Sequence, residues 1–197
     1  MRALAGVLAA LILGIALGLG SACFAVDRFA LSGAVTVGGW KGNLLTGSAE
    51  ADPYTRAAVA KTALLALART ETVYFMRSED DSGAPLNPAC SYEMRATTDP
   101  AARWWSVTLY DESFFLARNE DAAASIDATR VAREAGGGWR VVIGPTPKGF
   151  VNWLSTNATQ RFTLTIRLYN PDPAIVADPG KAVLPSVSKL SCPEAGA

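Results

Sequence analysis

The 197 residues include no histidine, and the residues whose types and spacing stand out are carboxylates, thiols, arginines and aromatic rings. His-based triads, His general bases and His metal ligands are therefore excluded. Asp111 stands beside Glu112, and two carboxyls can divide acid and base duties as they do in glycosidases. Neighbouring residues on a strand point to opposite faces, so Asp111 needs a partner from elsewhere, with Asp81 and Glu93 the candidates. Glu79, Asp80, Asp81 and Ser82 form an oxygen-rich stretch. It lacks the alternate-residue spacing of a calcium loop and reads as a solvated turn. No metal site and no cofactor is expected.

The aromatic set Tyr92, Trp104, Trp105, Tyr110, Trp153 and Tyr169 could line a cleft for a sugar ring or an apolar ligand. Arg103 and Arg167 lie near these rings in the sequence pattern and could hold a carboxylate or phosphate through a bidentate contact. The plainer reading places Trp105 and Trp153 in a core, with the arginines paired across a sheet. Asn152, just before Trp153, suits a turn in which the side-chain amide satisfies backbone groups. Of three cysteines, Cys23 falls in an apolar stretch. Cys90 and Cys192 remain, and in an oxidising compartment they could pair, closing a loop of about 100 residues and clamping the C-terminal tail. Two buried free thiols are the alternative.

These side chains need elements to position them. Thr72–Arg77, Arg103–Tyr110 and Arg161–Tyr169 alternate polar and apolar residues with period two, and Ser125–Ala132 and Trp139–Ile143 are shorter candidates for strands. On the last long run Phe162, Leu164, Ile166 and Leu168 face one way. Five or more such strands imply a mainly β, antiparallel sandwich. Asp52-Pro53 is a helix start, with Asp as N-cap and Pro at the first helical position, and predicts one helix over Tyr54–Arg69. Residues 27–51 are glycine-rich and read as a loop-rich lead-in. Residues 52–175 form the sandwich domain, and residues 176–197 form an extended, Pro-rich tail.

Ahead of the body, Ala3–Val26 carries no charge. At 1.5 Å per residue such a helix is about 36 Å long, enough to cross a hydrocarbon core of about 30 Å. The positive charge of Arg2 and the α-amine favours an N-terminus inside and a body outside. Three fates are weighed: an uncleaved anchor, a signal cut after Ala22, where Gly20 and Ala22 supply small residues, and a lipoprotein modified at Cys23, against which Gly20 stands where a branched apolar residue is expected. With 18 basic and 18 acidic residues, the chain lacks the charge excess expected of a nucleic-acid binder.

An ordered series runs along the body: Asp52-Pro53-Tyr54-Thr55-Arg56-Ala57, Glu71 with Tyr74-Phe75, Asp80-Asp81, Tyr92, and Arg103-Trp104-Trp105-Ser106-Val107-Thr108-Leu109-Tyr110-Asp111. It continues through Asn119, Asn152-Trp153-Leu154 and Leu164–Pro171. The series resembles the bacterial family catalogued as domain of unknown function 1214, over roughly residues 50–175, in its short, membrane-anchored, single-domain branch. The resemblance implies a jelly-roll-like sandwich and no established reaction. Longer relatives carry a second domain ahead of this one, which implies a companion domain for the short branch.

The sequence reading is thus a single-pass protein of the cytoplasmic (inner) membrane with its domain in the periplasm. It acts as a non-catalytic module that binds a small molecule or another envelope protein. The candidate ligand-binding residues are Arg103, Tyr110, Asp111, Asn152, Trp153, Arg167 and Tyr169. A carboxylate-based hydrolase of an envelope glycan or small ester, and a structural tether for envelope partners, are the two alternatives.

Overall fold

In a computed structural model describing residues 2–29, 34–43, 45–61 and 66–193, the uncharged N-terminal stretch is one helix, α1 (Arg2–Phe29). A hairpin follows, β1 (Ala34–Val37) and β2 (Trp40–Asn43), then a short helix, α2 (Pro53–Lys61). The body continues with β3 (Thr72–Arg77), β4 (Ser91–Ala96), β5 (Ala102–Asp111) and β6 (Ser125–Asp127). Next come β7 (Trp139–Gly144), β8 (Trp153–Ser155) and β9 (Phe162–Pro171). The chain closes with helix α3 (Pro173–Ala177), a 3-10 turn over Pro179–Lys181, and β10 (Ser186–Ser191).

The strands form two sheets, one ordered β1-β2-β3-β9-β5-β6 and one ordered β10-β4-β7-β8. Their inner faces share one apolar core, in which Trp105 of β5 stacks on Trp139 of β7 with ring centroids 4.6 Å apart. Tyr92 of β4 meets Phe162 of β9 edge-on at 6.4 Å. Trp105, Val107 and Leu109, and Phe162, Leu164, Ile166 and Leu168, are all buried, as their alternation requires. The expected sandwich is therefore present. One pair departs from the antiparallel rule: β8 runs parallel to β7, because segment 145–152 returns along β7 and the Val142 N–H donates to the Asn152 carbonyl.

Several elements differ from the sequence expectation. Asp52 does cap α2, its Oδ1 accepting the N–H groups of Tyr54 and Thr55. The helix is described as far as Lys61; residues 62–65, Leu64 and Leu65 among them, lie outside the described residues, and Leu67 and Ala68 are not helical. The strand expected over Ser125–Ala132 stops at Asp127, whose carboxylate accepts the N–H groups of Thr129 and Arg130 and turns the chain. Gly38 and Gly39, in the segment read as loop-rich, adopt φ of +53° and +82° and form a tight hairpin turn between β1 and β2. Within the Pro-rich tail, β10 pairs with β4, and Cys90 and Cys192 are disulfide-bonded, fastening the end of β10 to the start of β4.

Arg77 ties the hairpin to the sandwich. Its side chain is 0% exposed. Its guanidinium donates to the Gly38 carbonyl, the Glu79 carbonyl and Asp81 Oδ1, at 2.7, 2.7 and 2.6 Å, and lies 5.9 Å from the Trp40 ring. Asp81 in turn accepts the Val187 N–H of β10.

Register defines two ends. At one, the anchor end, β1, β3 and β5 begin and β9 finishes, since Thr72 pairs with Tyr169 and Tyr169 with Trp104. At the far end lie the Gly38-Gly39 turn, Arg77 and the pair Asp111–Phe162.

Candidate functional site

On β5 and β9 the residues that alternate with the core point away from it, to the outer face of the six-stranded sheet. Ser106 pairs with Arg167, Thr108 with Thr165, and Tyr110 with Thr163. Arg167 is half-buried and extends along this face toward the far end. Its guanidinium donates to the Tyr110 hydroxyl at 2.7 Å and to Thr108 Oγ1 at 3.3 Å, and sits 5.4 Å from the centre of the Tyr110 ring. No carboxylate neutralises it among the described residues. Thr165 is fully buried beside it, and its Oγ1 has no hydrogen-bond partner among the described residues.

The nearest acid across the sheet is Asp127, in register with Ser106 and buried. It is already committed: Arg130 Nε donates to it at 2.6 Å. Burial raises the Asp127 pKa, but Arg130 and the N–H groups of Arg130 and Thr129 outweigh that and hold it below the ordinary carboxylate value. Arg167 thus keeps a cation with three of its five donors uncommitted, stiffened by an aromatic ring beneath it. Beside it, Thr163 also lines a groove of about 640 Å³ bounded by Ser78, Glu79, Pro85, Leu86, Glu112, Arg161 and Phe162.

The seven residues singled out from sequence do not form one site. Arg167 and Tyr110 are in contact. Tyr169 lies on the same face two positions further along β9, packed on Trp104 with centroids 5.1 Å apart. Arg103 shares the inward parity of Trp105, but sits at the anchor end of β5 beyond the core and is exposed. Asp111 is at the far end, its Oδ1 accepting the N–H groups of Ser113 and Phe115. Asn152 and Trp153 belong to the other sheet. The Asn152 amide is buried and spent on the backbone of Ala132 and Arg140, while Trp153 Nε1 donates to the Gly144 carbonyl. Thr165 shares with Arg167 the polar face that the period-two alternation of this strand defines, whereas nothing in the sequence marks Thr108 as a partner of Arg167, because that contact depends on the register of β5 with β9.

The carboxylates are equally dispersed. Glu93 points outward from the four-stranded sheet, with Arg140 at 3.7 Å, whereas Asp111 caps a turn at the end of the other sheet. Asp81 is bound to Arg77 and the Val187 N–H. Asp80 is buried, not solvated as expected. Its Oδ1 accepts from the Ser82 hydroxyl and the Ser82 and Ala84 N–H groups, and the hydroxyl above all holds its pKa below the usual range.

Residues 71–173, from just before β3 to the start of α3, match the family model described as protein of unknown function DUF1214. The chain belongs to this family. The matched stretch contains Arg167, Tyr110 and both halves of the Trp105–Trp139 stack; α1, the β1–β2 hairpin, β10 and Cys192 lie outside it. No curated protein matches the chain. Among solved structures, the VPA0106 protein from Vibrio parahaemolyticus is similar in fold, with TM-score 0.58 and 22% identity over 72% of this chain and 36% of that one. An uncharacterized protein from Burkholderia cenocepacia aligns with TM-score 0.47 and 18% identity over 61% of this chain and 30% of its own. This chain therefore spans about a third of the length of the solved structures it matches.

Proposed function

We propose that the chain is a single-pass protein of the bacterial cytoplasmic membrane whose sandwich faces the periplasm and binds the anionic group of a ligand without transforming it. The observation that carries this reading is Arg167: half-buried, held by Tyr110 and Thr108, and without a carboxylate partner among the described residues. A carboxylate or phosphate matches the guanidinium fork, whether it arrives on a small molecule or on an envelope protein. Tyr169 and Trp104 extend the same face with aromatic surface. The compartment is supported by the uncharged span Ala3–Val26 and by the Cys90–Cys192 disulfide, which suits an oxidising space.

The test uses the full chain in mild detergent with inorganic phosphate and succinate as probes, reading the thermal unfolding midpoint. A ligand that binds only the folded state stabilises it, by about 2.7 kcal/mol at a hundredfold excess over Kd. The midpoint should rise with at least one probe in the wild type and stay put in Arg167→Gln. An equal rise in both proteins, or none with either probe in the wild type, refutes the site.

A further inference from the structure

The tether between helix and sandwich is short. From Phe29, the end of α1, to Ala34, the start of β1, there are five peptide steps, which span at most about 19 Å. The end of the sandwich at which β1 begins is thus held close to the end of the apolar span Ala3–Val26. A second element strengthens the link: α2 packs against α1. Among α1 side chains described, only Ala25 and Val26 are half-buried, so the contact falls where the span leaves the hydrocarbon.

That end also carries the residue types that favour a bilayer interface. Trp104 and Tyr169 pack against each other with their rings tilted by 56° and remain half-exposed, Trp104 Nε1 donating to Thr129 Oγ1. Tyr54, at the start of α2, is 48% exposed and Leu67 44%. Arg103 is exposed with no hydrogen bond or ion pair among the described residues. Trp and Tyr gather at headgroup level because one part of each ring system is apolar and the other hydrogen-bonds, while arginine lays its stem along apolar surface and keeps its charge in water.

We propose that the anchor end of the sandwich, presenting Trp104, Tyr169, Arg103, Tyr54 and Leu67, rests on the lipid headgroup layer that α1 crosses. The domain is then docked with its far end pointing away from the membrane, so the groove beside Tyr110 and Thr163 opens away from the bilayer. This inference rests on the reading of α1 as a retained anchor.

Tryptophan fluorescence tests it. Trp40, Trp105 and Trp139 are buried in the core, which leaves Trp104 and Trp153 as the partly exposed reporters, and they lie on different sheets. The full chain is reconstituted into phosphatidylethanolamine–phosphatidylglycerol vesicles doped with a lipid brominated near the top of its acyl chains. Quenching should appear in the wild type and in Trp153→Phe, and be lost in Trp104→Phe. A fluorophore on Arg103→Cys in a Cys23→Ser background, an exposed position that spares the core, should shift to the blue on vesicles. Protein that floats with the vesicles but shows neither signal overturns the docking alone. Protein that fails to float, or whose mass lacks residues 1–22, overturns the anchor reading and the docking with it.

Discussion

Removing the exposed member of the Arg77–Asp81 pair should cost at least as much as removing the buried one. The Arg77 side chain is 0% exposed and the Asp81 side chain 40%. In Arg77→Met the apolar stem is largely kept, two carbonyls lose a donor at about 1 kcal/mol each, and Asp81 rehydrates where it stands. The expected loss is about 2 kcal/mol. In Asp81→Ala the guanidinium stays dry without its anion, a change that costs about 3–5 kcal/mol in fully buried pairs. Because water can approach the Asp81 side, about 3 kcal/mol is expected, including the Val187 N–H left without its acceptor. The double variant should be no less stable than Asp81→Ala alone, since with Arg77 gone no buried charge is left stranded. Urea unfolding of the full chain in detergent, followed by near-ultraviolet circular dichroism of the tryptophans, measures all three at unchanged slope. A loss below about 1 kcal/mol for Asp81→Ala would show the contact behaving as an ordinary surface pair and would refute the reasoning.

Two further outcomes are expected of the sandwich. Cys90→Ser, which opens a loop spanning 102 residues, should lower stability by about 2–4 kcal/mol, and reductant should do the same to the wild type but not to the variant; equal guanidinium midpoints with and without reductant would contradict this. Asp80 has a folded pKa depressed chiefly by the Ser82 hydroxyl, so its contribution is complete above the unfolded aspartate value of about 3.9 and is lost as pH falls below it. Asp80→Asn should therefore be less stable than wild type near neutrality and show a flatter fall in stability between about pH 4 and pH 2; parallel curves would count against the buried carboxylate.

Much of this architecture was legible because burial imposes a period. Phe162 to Leu168 and Trp105 to Leu109 could face a common core only as strands, and 24 uncharged residues could form only a helix of membrane-crossing length. The strand β4 was harder to see, for Glu93 and Arg95 interrupt its short apolar set Tyr92, Met94 and Ala96. The helix α2 was overestimated because the leucines that continue its pattern carry no stop signal; only the turn at Ala68–Thr72, leading into β3, excludes Leu67 and Ala68 from it.

The sequence by itself determined the period of β3, β5 and β9, the cap at Asp52, the apolar span, and the pair of cysteines available for bonding. Tertiary structure alone decided which polar residues meet. Arg77 reads as one more residue of a strand, yet its parity turns it inward, where only the Gly38 and Glu79 carbonyls and Asp81 make its burial tolerable. Arg167 and Tyr110 are 57 residues apart and touch because β9 and β5 pair in one register. Asp111 and Glu93 have the chemistry of a catalytic pair, but they stand on different sheets, Asp111 spent on the N–H groups of Ser113 and Phe115 and Glu93 turned outward beside Arg140. Side-chain type is local, whereas convergence depends on register between distant strands, and register is set by how both sheets bury their apolar faces together.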